Sequence, residues 1–270
     1  MESKKIIEEI MEKSGNVFHS QVVKMLRDKG WFVVVSPYYS DNFTDKPREI
    51  DIIAEKKFDA KSNFGAWLGT ISVRLFVECK YVANHNVFWF DSIDKDKIID
   101  RIKSDTSVDY LDFDRNVKKH HYLVDSSVAK LFSSEKNRNG ENELIGKAIN
   151  QNLNALVYYR NKTDFMPEDL QRPSRVLQSV SYPIIIVNSF DKFFRTDMED
   201  VEKEVISITE PFKLEVNYAY IDKEKNAKNE YFLIDVLSID NLDDFFSSIE
   251  ENEIKEIRGK LDWDEWQKGK

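Results

Sequence analysis

The sequence predicts an α/β domain, a mixed β-sheet flanked by helices, and three observations carry that prediction. Apolar residues recur at helical spacing over residues 2–29 and 143–159. Segments 31–35, 71–82 and 184–187 are rich in β-branched and aromatic residues, and 49–55 alternates apolar with acidic positions. The elements follow in the order helix, three strands, helix, strand, two strands, helix, which suits layers packed on a single sheet.

Each element has a local reason. The first helix, broken near Ser14 and Gly15, carries Phe18, Val22, Met25 and Leu26 on one face, and Gly30 stands just past its end. Trp31 to Val35 reads as a strand. In 49–55, Ile50, Ile52 and Ala54 alternate with Glu49 and Asp51, so the acids share one face. A loop is expected over 58–70, where Gly65 and Gly69 turn the chain into a strand over 71–82. There Val73, Leu75, Val77 and Cys79 face apolar packing, while Arg74, Phe76, Glu78 and Lys80 point the other way. Residues 83–142 are polar and show no sustained period. Helical spacing returns over 143–159 with Leu144, Ala148 and Leu156, and Gln151 and Ala155 fall on the same stripe. After Pro183 come a buried strand at 184–187, a hairpin formed by 212–220 and 231–237, and an acidic helix over 242–257. Nothing resembling a repeat or linker divides the chain. The expectation is one domain over 1–270, with a core at about 15–190 and an acidic C-terminal extension, the hairpin and helix of 201–270.

Composition narrows the function. Hydrophobic residues make up 41% of the chain, enough to build a core and exclude disorder over most of its length. The net charge of −9, taken alone, is unfavourable for a polyanionic partner. Its distribution is uneven: residues 1–200 hold 30 basic and 31 acidic groups, whereas 201–270 hold 10 and 18. The near-neutral part is thus compatible with a nucleic acid. The single cysteine, Cys79, excludes a disulfide framework and a Cys-based zinc site. The start MESKKIIEEI lacks a signal-peptide apolar stretch, and no apolar run approaches the ~20 residues that span a bilayer. A cytoplasmic protein with no membrane partner is expected.

Familiar motifs fail on detail. Gly140 to Ala148 imitates a phosphate-binding loop, but one residue too many separates its glycines and Ala148 stands where Ser or Thr would hold magnesium. No dinucleotide fingerprint and no glycine-flanked nucleophilic serine occurs. His19, His85, His120 and His121 lack metal-ligand spacing, and adjacent histidines on a regular element diverge.

What remains is Asp51 beside Glu78, Cys79 and Lys80. Two carboxylates on adjacent strands can hold Mg²⁺ or Mn²⁺, and a nearby ammonium stabilises developing charge or orients a nucleophile. The backbone carbonyl of Cys79 offers a further ligand. Glu-x-Lys alone is common in this chain, at Glu2, Glu55, Glu78 and Glu253, but only the copy at Glu78 ends a long apolar strand preceded by one bearing an aspartate.

In order and spacing, the helix from Gly15 to Gly30, the run Arg48-Glu49-Ile50-Asp51-Ile52-Ile53 and the run Phe76-Val77-Glu78-Cys79-Lys80 resemble the PD-(D/E)xK nuclease superfamily, which has the restriction-endonuclease-like fold. The match covers roughly residues 15–82, and the later helix and the strand at 184–187 fit more loosely. The resemblance implies a Mg²⁺-dependent endonuclease with Asp51 and Glu78 as metal ligands and Lys80 as the catalytic lysine. It also implies a polar side chain from the second core helix, a part Gln151 suits. Where many members carry a glutamate on the first helix, this chain has His19, a candidate for contact with phosphate or metal-bound water. Arg48 is a candidate phosphate clamp, Glu49 an auxiliary ligand, and the aromatic run 81–90 a stacking surface.

DNA is the expected substrate ahead of RNA, with no separate reader module visible. The alternative is a catalytically inactive nuclease-fold subunit that binds nucleic acid or regulates. A homodimer or protein partner is also compatible, with Trp263 and Trp266 in the charged tail as docking residues.

Overall fold

The computed structural model describes residues 6–7, 11, 15–105, 120–135, 144–160, 176–200, 204–222 and 224–268, with side chains described only through 262. The described chain is a mixed α/β structure in which helices flank a large mixed sheet.

Helix α1 (Asn16–Asp28) begins after Gly15, whose φ of 71° turns the chain sharply into the first turn. It ends in a Schellman closure: the N–H of Gly30 donates to the Arg27 carbonyl and that of Trp31 to the Leu26 carbonyl. Strand β1 (Phe32–Val35) follows, then a separate small hairpin of β2 (Tyr38–Ser40) and β3 (Pro47–Glu49). Strands β4 (Ile52–Lys61) and β5 (Trp67–Lys80) form a long antiparallel pair. The loop expected over 58–70 is therefore short, since the alternation of Phe58 and Ala60 with polar neighbours carries the ladder past it.

The segment without a readable period holds β6 (Asn86–Ser92), α2 (Lys95–Asp105), a 3₁₀ turn (His121–Leu123) and β7 (Ser127–Ser134). Its residues 106–119 and 136–143 lie outside the described residues. Helix α3 (Leu144–Tyr159) takes Gly146 and Lys147 into its first turns. Strand β8 (Val176–Val187) is three times as long as expected. Strands β9 (Phe193–Asp197) and β10 (Ile206–Ser207) precede the expected hairpin of β11 (Phe212–Ile221) and β12 (Ala227–Ser238). A 3₁₀ turn, α4 (Leu242–Ser248), a π-helical stretch (Ile249–Ile254) and α5 (Lys255–Lys268) close the chain. The side chains of Trp263 and Trp266 lie outside the described residues.

The main sheet has ten strands in the order β1-β4-β5-β8-β12-β11-β7-β6-β9-β10. Strands β5, β8 and β12 are parallel, so the C-terminal hairpin enters the middle of the sheet. Two cores result. One packs Phe18, Val22 and Leu26 of α1 and Phe245 and Ile254 of the C-terminal helices against Ile52, Val77 and Ile184. The other packs Ile145, Ala148 and Leu153 of α3 against Ile53, Phe76 and Ile185, and continues into a cluster of Phe88, Phe193 and Phe212. Pro183 puts a residue without an N–H in the central strand β8. Beside it, Asn152 of α3 donates to the Phe76 and Ile184 carbonyls at 2.7 and 2.8 Å, pinning the helix across β5 and β8.

Candidate active site

Asp51 is not in a strand. It occupies a bend between β3 and β4, and the pairing of β4 with β5 begins only at Ile52 opposite Val77. Beyond that point β5 continues alone on this side through Glu78, Cys79 and Lys80. The Asp51 carboxylate occupies the vacated ladder position: its Oδ2 accepts the Cys79 N–H at 2.8 Å. Because the N–H and C=O of a strand residue share a side, the Cys79 carbonyl also emerges towards Asp51. Its thiol packs against the first core, and burial pushes the thiol's pKa well up, which leaves sulfur no part as a ligand.

Glu78 is fully buried. Its Oε1 accepts the Asp51 N–H at 3.3 Å and its Oε2 meets the Lys80 ammonium at 2.5 Å. Lys80 also lies 3.5 Å from Asp51 Oδ2. Burial pushes the Glu78 carboxyl up to about 8, with the Asp51 charge adding and Lys80 opposing. For Lys80, burial favours the neutral amine, but Glu78 and Asp51 outweigh it and the pKa is raised. Lys80 is therefore an ammonium near neutral pH, suited to holding charge and unsuited to removing a proton.

Comparison with protein-family models, curated proteins and solved structures found no match to this chain. The site is read from its own geometry.

Its donor set is oxygen throughout, the chemistry that suits Mg²⁺ or Mn²⁺. Asp51 Oδ1 has no hydrogen-bond partner among the described residues, and the side chain is 27% exposed against 13% for Lys80 and none for Glu78. Solvent thus reaches the trio from the Asp51 side, where an unused lone pair waits.

The other expected residues are near but act on the backbone. His19 Nε2 donates to the Asp51 carbonyl at 3.2 Å, and the Ser36 N–H donates to the same oxygen at 2.8 Å. Gln151 Nε2 donates to the Glu49 carbonyl at 3.1 Å, while the Gln151 backbone carbonyl accepts the Tyr39 hydroxyl. Glu49 stands opposite Tyr38 in the small hairpin, and its carboxylate raises the pKa of that tyrosine. Arg48 is half exposed, 3.4 Å from Asp41. Within the aromatic run, Phe88 and Phe90 are core residues of β6, whereas Tyr81, next to Lys80, is exposed.

A second cluster went unseen in the sequence. His120 and His121, expected to diverge, stack at 4.9 Å because they flank the start of a 3₁₀ turn. With Glu253 they form a group whose ligand atoms lie within 4.8 Å, a spacing that could hold a metal ion. The same atoms bond one another. The Tyr122 N–H donates to His120 Nδ1, so Nε2 carries the hydrogen and donates to Glu253 Oε2 at 3.2 Å. His121 bonds Glu253 through Nδ1 and Asp235 through Nε2, the latter at 3.0 Å, and the Tyr182 hydroxyl completes Glu253. No helix among the described residues is long and apolar enough to cross a membrane.

Proposed function

We propose that this protein is a metal-dependent nuclease that hydrolyses phosphodiester bonds, in DNA before RNA, by an activated water. One observation carries the reading: at neighbouring strand ends two carboxylates and an ammonium converge, and the solvent-facing carboxylate keeps an unused oxygen. The order α1, β1, β4, β5, α3, β8, with β1-β4-β5-β8 adjacent in the sheet, supports it as the helix, three strands, helix, strand succession of the family resemblance.

Asp51, Glu78 and the Cys79 carbonyl would hold Mg²⁺ or Mn²⁺, which supplies an acidified water and offsets phosphate charge. Lys80, kept protonated by both carboxylates, orients the nucleophile and stabilises charge developing on the phosphoryl oxygens. His19 and Gln151 fix the Asp51 bend through backbone carbonyls. The acidic C-terminal helices dock away from this edge: the Asn63 turn, at the far end of β4 and β5, takes Asp262, and Asp243 pairs with Lys29 at the far end of α1. The substrate approach is spared their charge.

The test is cleavage of plasmid, linear duplex and single-stranded DNA with Mg²⁺ or Mn²⁺. Asp51→Ala and Lys80→Ala should each remove cleavage while leaving the melting transition in place. Unchanged activity in both would sink the assignment. Metal-independent binding with no cleavage of any substrate would favour the inactive-subunit reading, which the complete burial of Glu78 beneath Lys80 motivates.

A further inference from the structure

Beside the candidate active site a cleft of about 650 Å³ opens between β3, α3 and β11. Lys147, Gln151 and Asn154 recur at helical spacing on the side of α3 that lines it, while Ile145, Ala148 and Leu153 are buried in the core. The facing wall belongs to the small hairpin. There the one lining carboxylate, Asp41, is consumed: Oδ1 accepts the N–H groups of Phe43 and Thr44 at 3.0 and 2.9 Å, and Oδ2 faces Arg48 and Asn154 at 3.4 Å each. It builds the hairpin and offers little charge to a ligand.

Three features are then left over. The Lys147 ammonium has no acidic partner among the described residues. The Tyr218 hydroxyl, on the β11 wall, makes no hydrogen bond among them. Phe43, also lining the cleft, holds its ring in water at 57% exposure. At its inner end, Gln151 touches the Glu49 carbonyl, two residues from Asp51.

We propose that this cleft holds one unpaired nucleotide of the substrate strand next to the scissile phosphate. Lys147 and Arg48 take the phosphate, and Phe43 with Tyr218 takes the base. The inference rests on the nuclease reading for the identity of its neighbour. Lys147, without an acidic partner among the described residues, and the half-exposed Arg48 suit a phosphate, and the exposed Phe43 ring suits a base whose face is free, while the buried Tyr218 offers its unbonded hydroxyl. A duplex keeps its base faces stacked inside and offers the cleft only its backbone. The protein should therefore bind single-stranded DNA in preference to duplex of the same sequence.

The experiment is fluorescence anisotropy of the full chain in EDTA, with a fluorescein-labelled single-stranded DNA and its duplex, so that binding is read without cleavage. Lys147→Glu and Phe43→Ala should each weaken single-strand binding about tenfold or more, with Lys255→Glu on α5 staying within about twofold. Melting curves check folding, and Lys147→Gln replaces Lys147→Glu should the latter unfold. Parental affinity in the Lys147 and Phe43 variants, preference for duplex, or no binding to single strands would each overturn the cleft assignment. Asp51→Ala separates the two readings. It should keep single-strand binding and lose cleavage; if cleavage persists, the nuclease assignment falls while the anisotropy still decides the cleft.

Discussion

The cluster of Asp51, Glu78 and Lys80 and the cluster of Asp235, Glu253 and His121 each set two carboxylates around one cationic side chain, yet they differ in acceptor capacity left unused. Glu253 is saturated. Its Oε1 takes the His121 ring and backbone N–H groups, and its Oε2 takes His120 and the Tyr182 hydroxyl. Those bonds tie the π-helical stretch to the 3₁₀ turn and to β8, and Asp235 of β12 completes the tie through His121. At the other cluster, β4 stops before β5 does, and Asp51 keeps an oxygen free on the solvent side. Saturation marks a fastening, whereas a spare lone pair at a ladder's end marks a place for chemistry.

The same substitution in both clusters should separate them, and it brings the largest effects. Glu78→Gln keeps the volume and removes the ligand charge, so cleavage should fall by about 10²–10⁴-fold. Its melting temperature should hold or rise, because burial already penalises the charged carboxylate. Glu253→Gln should do the reverse, costing up to about 3–5 kcal/mol because it takes from a buried imidazolium one of its two carboxylate partners. Activity per folded molecule should be unchanged. Urea denaturation and cleavage on the same preparations check both, and a matched loss of stability in the two variants would erase the distinction.

The pH dependence sharpens it further. Burial opposes the charge on His121, but Glu253 and Asp235 outweigh it and raise its pKa to about 9. That stability is complete below the unfolded value of 6.5 and is lost as pH rises through 9. His120 runs the other way: burial, against the pull of Glu253, lowers it to about 4, so its contribution falls away as pH drops from 6.5. Burial resists ionisation of Glu253 too, but the histidines hold it at about 2, and its stabilisation fades below 4.5. Unfolding free energy in EDTA should climb from pH 2 to 4.5 and fall from 6.5 to 9, and Glu253→Gln should flatten both limbs. Glu78, raised to about 8, adds a decline between 4.5 and 8 that Glu78→Gln should remove. The limb above 8 should stay in that variant, since it belongs to His121.

The candidate site was legible in the sequence because its parts are local. Glu78 and Lys80 share a face of one strand, and the antiparallel pairing of β4 with β5 carries Asp51, one residue before β4, to Glu78. The bend at Asp51 was not legible, since it depends on Ser36 and His19 reaching its carbonyl from elsewhere. Strand β6 was hidden for a different reason: Phe88 and Phe90 alternate with the half-buried Val87 and Trp89, so both faces read as apolar. The histidine cluster lay beyond any local pattern. His121 is separated from Asp235 by 114 residues and from Glu253 by 132, and only the sheet order brings them together.

The smallest expected effect decides how the Asp51 bend is held. His19 and Ser36 share the Asp51 carbonyl, so removing the imidazole leaves that oxygen with one donor. A neutral hydrogen bond contributes about 0.5–1.5 kcal/mol, so His19→Ala should slow cleavage by about tenfold at most. The loss should appear in kcat, because a misplaced Asp51 disturbs the reacting geometry and leaves strand binding alone. Glutamine can carry an N–H to a similar place, and His19→Gln should return activity to within about twofold of the parent. A direct phosphate contact would behave otherwise: both variants would raise KM, weaken single-strand binding and resist rescue. Steady-state kinetics on the pair therefore distinguish a residue that steadies the ligand from one that touches the substrate, the same division that separates the two carboxylate clusters.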